Sequence, residues 1–226
     1  MTNINLKFSP QQAKLMLKLL IALELCMVIL YLLDHRFYAF GRTHHLIDLD
    51  QESTVPSWFS SVQLFLIGIL FLLQKFRYPL PKNDSLNFLS FIGLCLIFLS
   101  MDEAISIHER VSWTFNHIEW LPRFKGDYGL WIPIYVVAGL TLLAVLQKNI
   151  LKIWRFYPKE SVLFTLGFLI VLAGGVGLEI ISYQYLRNVD ELNNLYLLEV
   201  AVEEGLEMIG ASVMLYAAVL FTIEGD

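Results

Sequence analysis

Six long apolar runs limit what this chain of 226 residues can fold into. A helix needs about 20 mostly apolar residues to cross the hydrocarbon core of a bilayer. The runs cover Leu15 to Leu33, Trp58 to Leu73, Leu86 to Ile107, Leu130 to Leu146, Ser161 to Leu186 and Leu195 to Ile223. They predict an all-α fold: a polytopic membrane helix bundle of about six transmembrane helices, with residues 1–226 forming a single integral membrane domain. We expect the short second and fourth runs to extend by a turn or to tilt less.

Composition excludes several other classes of protein. Hydrophobic residues make up 57% of the chain and charged residues 16%, which is too apolar for an ordinary soluble domain. The net charge of -5 gives no basic footprint for nucleic acid. Membrane lipids are therefore the expected surroundings, and a homo-oligomer or a partner in a membrane complex is left open.

The distribution of Lys and Arg predicts the orientation, because cytoplasmic loops carry an excess of these residues. Ten of the 16 lie at the N-terminal end of the chain up to Lys18, at the start of the first run, or in the second and fourth connections between runs. This count predicts that both termini are cytoplasmic, in a plasma or inner membrane. In that orientation the ends of the third and fifth runs and the start of the sixth lie in the extracytoplasmic leaflet.

Acidic residues gather at this same predicted face. They are Asp102, Glu103 and Glu109 near the exit of the third run, Glu179 in the fifth, and Glu199, Glu203, Glu204 and Glu207 in the sixth. At about 100° per residue, Glu199, Glu203 and Glu207 form one helical stripe with Glu204 beside it. His108 points away from Asp102 if the third helix continues without a kink. Ionisable groups at membrane depth usually face a bundle interior or a water cavity, so the pattern predicts a carboxylate-lined pocket.

Carboxylates with an imidazole suit a divalent metal such as Fe, Mn or Zn. The leading hypothesis is a metal-dependent integral membrane enzyme that acts on a lipid or other apolar substrate. Glu179 and Glu204 are its candidate catalytic residues, and the candidate metal ligands are Asp102, Glu103, His108, Glu109, Glu179, Glu203, Glu204 and Glu207. The sequence has no Gly-x-Ser-x-Gly elbow, the motif that would favour nucleophilic catalysis. It also lacks the Glu-x-x-His pairs of the di-iron carboxylate bundles.

Three alternatives remain open. The acids are also compatible with a proton- or cation-coupled transporter, in which Glu24 in the first run and Gln63 in the second extend a polar path. A non-catalytic membrane assembly subunit would use the acids to pair with another chain. The simplest alternative is that helix ends extend beyond the bilayer with solvated acids, that Glu24 and Gln63 bond two helices together, and that the glycines before Glu179 only allow close helix packing.

Overall fold

Seven helices and one 3₁₀ turn build the part of the chain that the computed structural model describes, residues 8–38, 40–77, 83–122, 124, 129–186 and 194–224. The helices are α1 (Pro10–Phe37), α2 (Val55–Arg77), α3 (Asn83–Ile105), α4 (Ile107–Phe115), α5 (Trp131–Phe156), α6 (Pro158–Leu186) and α7 (Asn194–Glu224). The 3₁₀ turn, Gly41–Leu46, lies between α1 and α2. No strand occurs in these ranges, which confirms the predicted all-α class.

Six of these helices, all except α4, are long and apolar enough to cross a membrane, as judged over the described residues. Each contains most of one predicted run, so the multi-pass architecture is confirmed. The short second and fourth runs are extended as expected, since α2 has 23 residues and α5 has 26. Hydropathy marks where a chain leaves hydrocarbon and does not mark where its helix ends.

The boundary between α5 and α6 shows that difference. The sequence predicts a connection over residues 147–160, but α5 continues to Phe156 and α6 begins at Pro158. Polar residues such as Lys148 and Lys152 have good helix propensity, so they prolong the helix beyond its apolar stretch. Tyr157 alone joins the two helices, and Pro158 occupies the first helical position, where its missing N–H costs nothing.

The distribution of exposed and buried side chains fits a lipid solvent. Large apolar side chains such as Leu19, Val145 and Leu169 are exposed on the outside of the bundle, whereas Glu24 and Gln63 are fully buried inside it. Helix α7 is central, since it packs against α1, α2 and α6. Its Gly210 lies so close to Gly167 of α6 that a Cβ on either glycine would stand 2.7 Å from the other's carbonyl oxygen. Small residues allow such close contact between membrane helices.

A break at Ser106 separates α3 from α4. Ser106 has φ 54° and ψ 49°, in the left-handed region that interrupts α-helices, and the next helix, α4, begins at Ile107. The third predicted run therefore ends as a helix at Ile105, two residues earlier than expected. This kink sets the positions of His108 and Glu109.

Helix α6 changes its winding around Glu179. An α-helical stretch, Pro158–Leu172, is followed by a π-helical segment, Ala173–Leu178, by one α turn at Glu179–Ile181 and by a second π-helical segment, Ser182–Leu186. Wide π turns are rare and are often found at functional sites. Here they flank the one acidic residue in the interior of this helix.

Candidate functional site

Carboxylates from four segments of the chain meet at one end of the bundle. We call this group the acidic cluster, and it consists of Glu52, Asp102, Glu103, Glu179, Glu203, Glu204 and Glu207. Glu207 of α7, for example, interacts electrostatically with Glu103 of α3, Glu179 of α6 and Glu52 of the loop before α2. Glu204 likewise interacts with Glu103 and Glu52. The three helices that the sequence predicts to share a pocket are therefore brought together.

Asp102 and His108 form the best-defined contact of the cluster. Asp102 is 6% exposed, and its Oδ1 accepts a hydrogen bond of 2.7 Å from the backbone N–H of His108. The same oxygen lies 3.3 Å from Nδ1 of the His108 ring. On its other side, Nε2 of the ring lies 4.0 Å from Oε1 of Glu52. The sequence predicts that His108 points away from Asp102 only if the helix continues without a kink. The left-handed Ser106 supplies that kink, and His108 therefore lies beside Asp102.

These contacts perturb the titration of both His108 and Glu52. Burial lowers the pKa of His108, but the hydrogen bond and the charge of Asp102, with the charges of Glu179 and Glu52, outweigh it and raise the pKa to about 9. Burial, together with nearby Glu109 and Asp102, raises the pKa of Glu52 to about 7 despite the opposing charge of His108. His108 is therefore the imidazolium that partly balances the carboxylates around it.

Glu179 enters the cluster from the altered stretch of α6. It accepts a hydrogen bond from the Tyr183 hydroxyl four residues later on the same helix. Its carboxylate also interacts with Glu103, Glu203 and His108. Tyr183 is buried and packs against Trp131 of α5, so the aromatic side chains form one wall beside the cluster.

The stripe on α7 faces the π-helical segment of α6. A Cβ placed on Gly175 would stand 2.6 Å from Oε1 of Glu207, and one on Gly174 would stand 2.7 Å from the carbonyl oxygen of Glu203. The glycines before Glu179 thus leave room for the Glu207 carboxylate as well as for the backbone of α7. Glu203 in turn interacts with Glu179 and Glu199, as the predicted helical stripe requires.

Sequence reasoning missed Glu52, Tyr183 and Trp131 as parts of this site. The indole Nε1 of Trp131 is buried without a hydrogen-bond partner among the described residues, and the ring centroid lies 5.0 Å from that of His108. Glu52 lies in a long polar loop without periodicity, so no pattern placed it beside Glu103. The nearest signal for Tyr183 was its spacing of four residues from Glu179, which puts both on one helix face.

Not every candidate ligand lies at the centre of the cluster. Glu109 is partly exposed at the start of α4 and interacts with Glu52 at the margin. Arg110 does not pair with Glu103 among the ion pairs of the described residues, and its Nε donates to the carbonyl oxygen of Ile105. Within the described ranges, no three His, Cys, Asp or Glu side chains have the geometry of a bound metal. The oxygen and imidazole donors fit a divalent ion chemically, but their side chains do not converge on one centre.

Comparison with known proteins gives a family and no function. Neither a curated protein nor a solved structure matches the chain. A family model described as "Domain of unknown function (DUF8692)" matches residues 19–223, a range that includes all members of the acidic cluster and most of each of the six long helices. The chain therefore belongs to this family of unknown function.

Proposed function

We propose that the protein is an integral membrane enzyme whose acidic cluster binds a divalent metal ion and acts on a lipid or another apolar substrate. The observation that supports this most is the meeting of carboxylates from a loop and three membrane helices, with His108 beside those of the loop, α3 and α6. Several carboxylates held close together repel one another, and a divalent cation relieves that repulsion. Ionisable residues within membrane segments usually mark a functional site.

The surroundings of the cluster favour a substrate from the membrane. Tyr183 bonds Glu179, and Trp131 lies against His108. The exposed Trp113 and Trp120 lie on or after α4, the short helix that begins at the cluster. Trp side chains prefer the boundary between lipid and water. The Lys and Arg count predicts that this boundary lies in the extracytoplasmic leaflet, and we propose that the pocket opens there.

The proposed roles follow from position. Asp102, Glu103, His108, Glu179, Glu203, Glu204 and Glu207 would be the nearest metal ligands, with Glu109 at the margin. His108 would bind as the neutral imidazole, after releasing its ring proton to solvent as the metal enters. Glu179 and Glu204 would also exchange protons with the substrate, and the Tyr183 hydroxyl would orient Glu179 through its hydrogen bond. A divalent metal here would supply a Lewis acid or lower the pKa of a bound water.

Metal content tests the proposal directly. The purified protein in detergent is loaded with Mn²⁺, Fe²⁺ or Zn²⁺, dialysed and measured by elemental mass spectrometry. We expect a stoichiometric metal in the wild type and its loss in Glu179→Gln and Glu204→Gln. Glu160→Gln is the matched control, because Glu160 is equally an acidic residue of a membrane helix, is 2% exposed and lies at the opposite end of α6.

Activity is then sought in lipid nanodiscs, where mass spectrometry of the lipids detects a product that requires metal. A wild type that folds but holds no metal after loading would overturn the proposal. The same conclusion would follow if Glu160→Gln lost metal as completely as Glu204→Gln. If the protein binds metal and carries ions into liposomes but leaves the lipids unchanged, the transporter hypothesis would take the place of the enzyme hypothesis.

A further inference from the structure

A second polar group lies inside the bundle, outside the acidic cluster. Glu24 of α1, Gln63 of α2 and Ser212 of α7 are 0%, 2% and 0% exposed. Nε2 of Gln63 donates to Oε1 of Glu24 at 2.8 Å and to Oγ of Ser212 at 2.7 Å. The Ser212 hydroxyl donates to the same Glu24 oxygen at 2.5 Å. The contact predicted between Glu24 and Gln63 is therefore present, and a third helix joins it.

The side-chain donors of Gln63 and Ser212 are all used within this group, whereas two of its acceptor oxygens have no partner among the described residues. The two N–H bonds of Gln63 and the O–H of Ser212 are all engaged, and each points to an oxygen within the group. Oε2 of Glu24 and Oε1 of Gln63 are left buried without a hydrogen-bond partner among the described residues. Buried polar atoms are normally satisfied, so two unpaired acceptor oxygens on neighbouring side chains indicate a missing hydrogen-bond donor or cation.

A third unpaired oxygen lies one turn away. Ser60 is 4% exposed, and its Oγ is also buried with no partner within the described ranges. Ser60 and Gln63 are three residues apart on α2, so they share one face of that helix. Adjacent Ser61 differs, because its hydroxyl donates to the carbonyl oxygen of Ser100 at 2.7 Å. Among the serines of α2, the unpaired hydroxyl is thus the one three residues before Gln63.

We propose that Glu24, Gln63 and Ser60 form a binding site for a monovalent metal cation in the interior of the bundle. A carboxylate, an amide carbonyl and a hydroxyl supply only oxygen atoms, which are the ligands of hard cations. One carboxylate balances one positive charge, whereas a divalent ion would leave a net charge buried in an apolar interior. Sodium sites of membrane transporters likewise lie between helices near the bilayer midplane.

The effect of salt on thermal stability tests this site. The full chain is purified in detergent with choline as the monovalent cation, and its melting temperature is measured with added NaCl or KCl against choline chloride at equal ionic strength. A ligand that binds only the folded state stabilises it progressively above its Kd. We expect a rise of a few degrees with Na⁺ or K⁺ that choline does not produce, and no such rise in Glu24→Gln.

Ser60→Ala and Ser61→Ala form a matched pair that separates loss of the cation site from a general loss of stability. Ser60→Ala is expected to weaken the apparent affinity for the cation by about tenfold, while Ser61→Ala lowers the melting temperature in all salts and keeps the cation response. Glu160→Gln controls for the removal of a buried carboxylate elsewhere. The Glu24→Gln variant should still bind divalent metal, so failure of this proposal is distinguishable from failure of the proposed enzyme.

Three results would overturn the proposal. The first is a wild type that responds equally to choline and to the alkali cations. The second is a Glu24→Gln variant that keeps the full response. The third is a melting temperature that ignores salt but varies with pH only when Glu24 is present, because the missing species would then be a proton.

Discussion

The contact between α6 and α7 at Gly174 should be intolerant of a single methyl group. In Gly174→Ala the new Cβ would stand 2.7 Å from the carbonyl oxygen of Glu203 and 3.0 Å from Cγ of Glu207. Ordinary contact begins at 3.4 Å, so the backbone of α7 must retreat by about 0.7 Å. A backbone atom cannot rotate away as a side chain can. Overpacking of this kind costs about 1–3 kcal/mol.

Gly177→Ala is the matched control, since it lies in the same π-helical segment and its Cβ would be 3.7 Å from the nearest atom, the carbonyl oxygen of Leu172. Both variants gain the helix propensity of alanine, worth up to about 1 kcal/mol. The difference between their unfolding free energies, measured by denaturant titration in micelles, therefore isolates the clash. We expect Gly174→Ala to be less stable than Gly177→Ala by about 1–3 kcal/mol.

Equal stability of the two variants, both at the level of the wild type, would refute this reasoning. It would mean that α6 and α7 do not pack against each other through Gly174, and the position inferred for Glu207 beside Glu179 would lose its basis. A fall in both variants would instead indicate that the π-helical winding itself rejects alanine. In that case the measured costs would be similar and unrelated to the distance to α7.

Two other predictions concern the side chains of the cluster. In Gly175→Ala the new Cβ would stand 2.6 Å from Oε1 of Glu207, which is the end of a flexible side chain and can move away. We therefore expect the stability to change little and the binding of divalent metal to fall. A melting curve measures the first and elemental analysis of the purified protein measures the second. The pKa of His108 is about 9 in the folded protein against an ordinary value of 6.5, so its stabilising contribution is fully present below pH 6.5 and is lost as the pH rises through 9. Metal-free wild type should lose stability over this range, and His108→Gln should lack that component; a parallel pH profile in the variant would contradict it.

The helix bundle and the meeting of its acidic residues could be predicted because both follow from the positions of residues along the sequence. Hydropathy gives the spans, and the direction of each span puts Glu103, Glu179 and Glu207 at one end. The 3.6-residue period then predicts that Glu203 and Glu207 share a face, which their contacts with Glu179 and with the α6 glycines bear out. No long-range contact needs to be known for any of these steps.

Two parts of the site depend on backbone geometry that periodicity does not describe. The left-handed conformation of Ser106 is rare for a residue other than glycine, and serine gives no strong signal for it. Without this kink, His108 is placed on the wrong side of α3. Glu52 directly precedes another left-handed residue, Ser53, in a loop where the sequence has no repeating pattern from which a direction can be read.

Helix α7 contacts both sites, which makes their independence measurable. Glu204 belongs to the acidic cluster, and Ser212, which bonds Glu24, lies eight residues further along, about 12 Å on the helix axis. Changes separated by more than about 7–10 Å without shared partners usually add. We therefore expect the effects of Glu24→Gln and Glu204→Gln on unfolding free energy to be additive within about 0.5 kcal/mol, with divalent and monovalent ions present or absent. A larger interaction energy that appears only when both ions are bound would mean that the sites are coupled. Coupling between two ion sites is what a cation-driven transporter requires and a simple metalloenzyme does not, so that result would reverse the preference between these two functions.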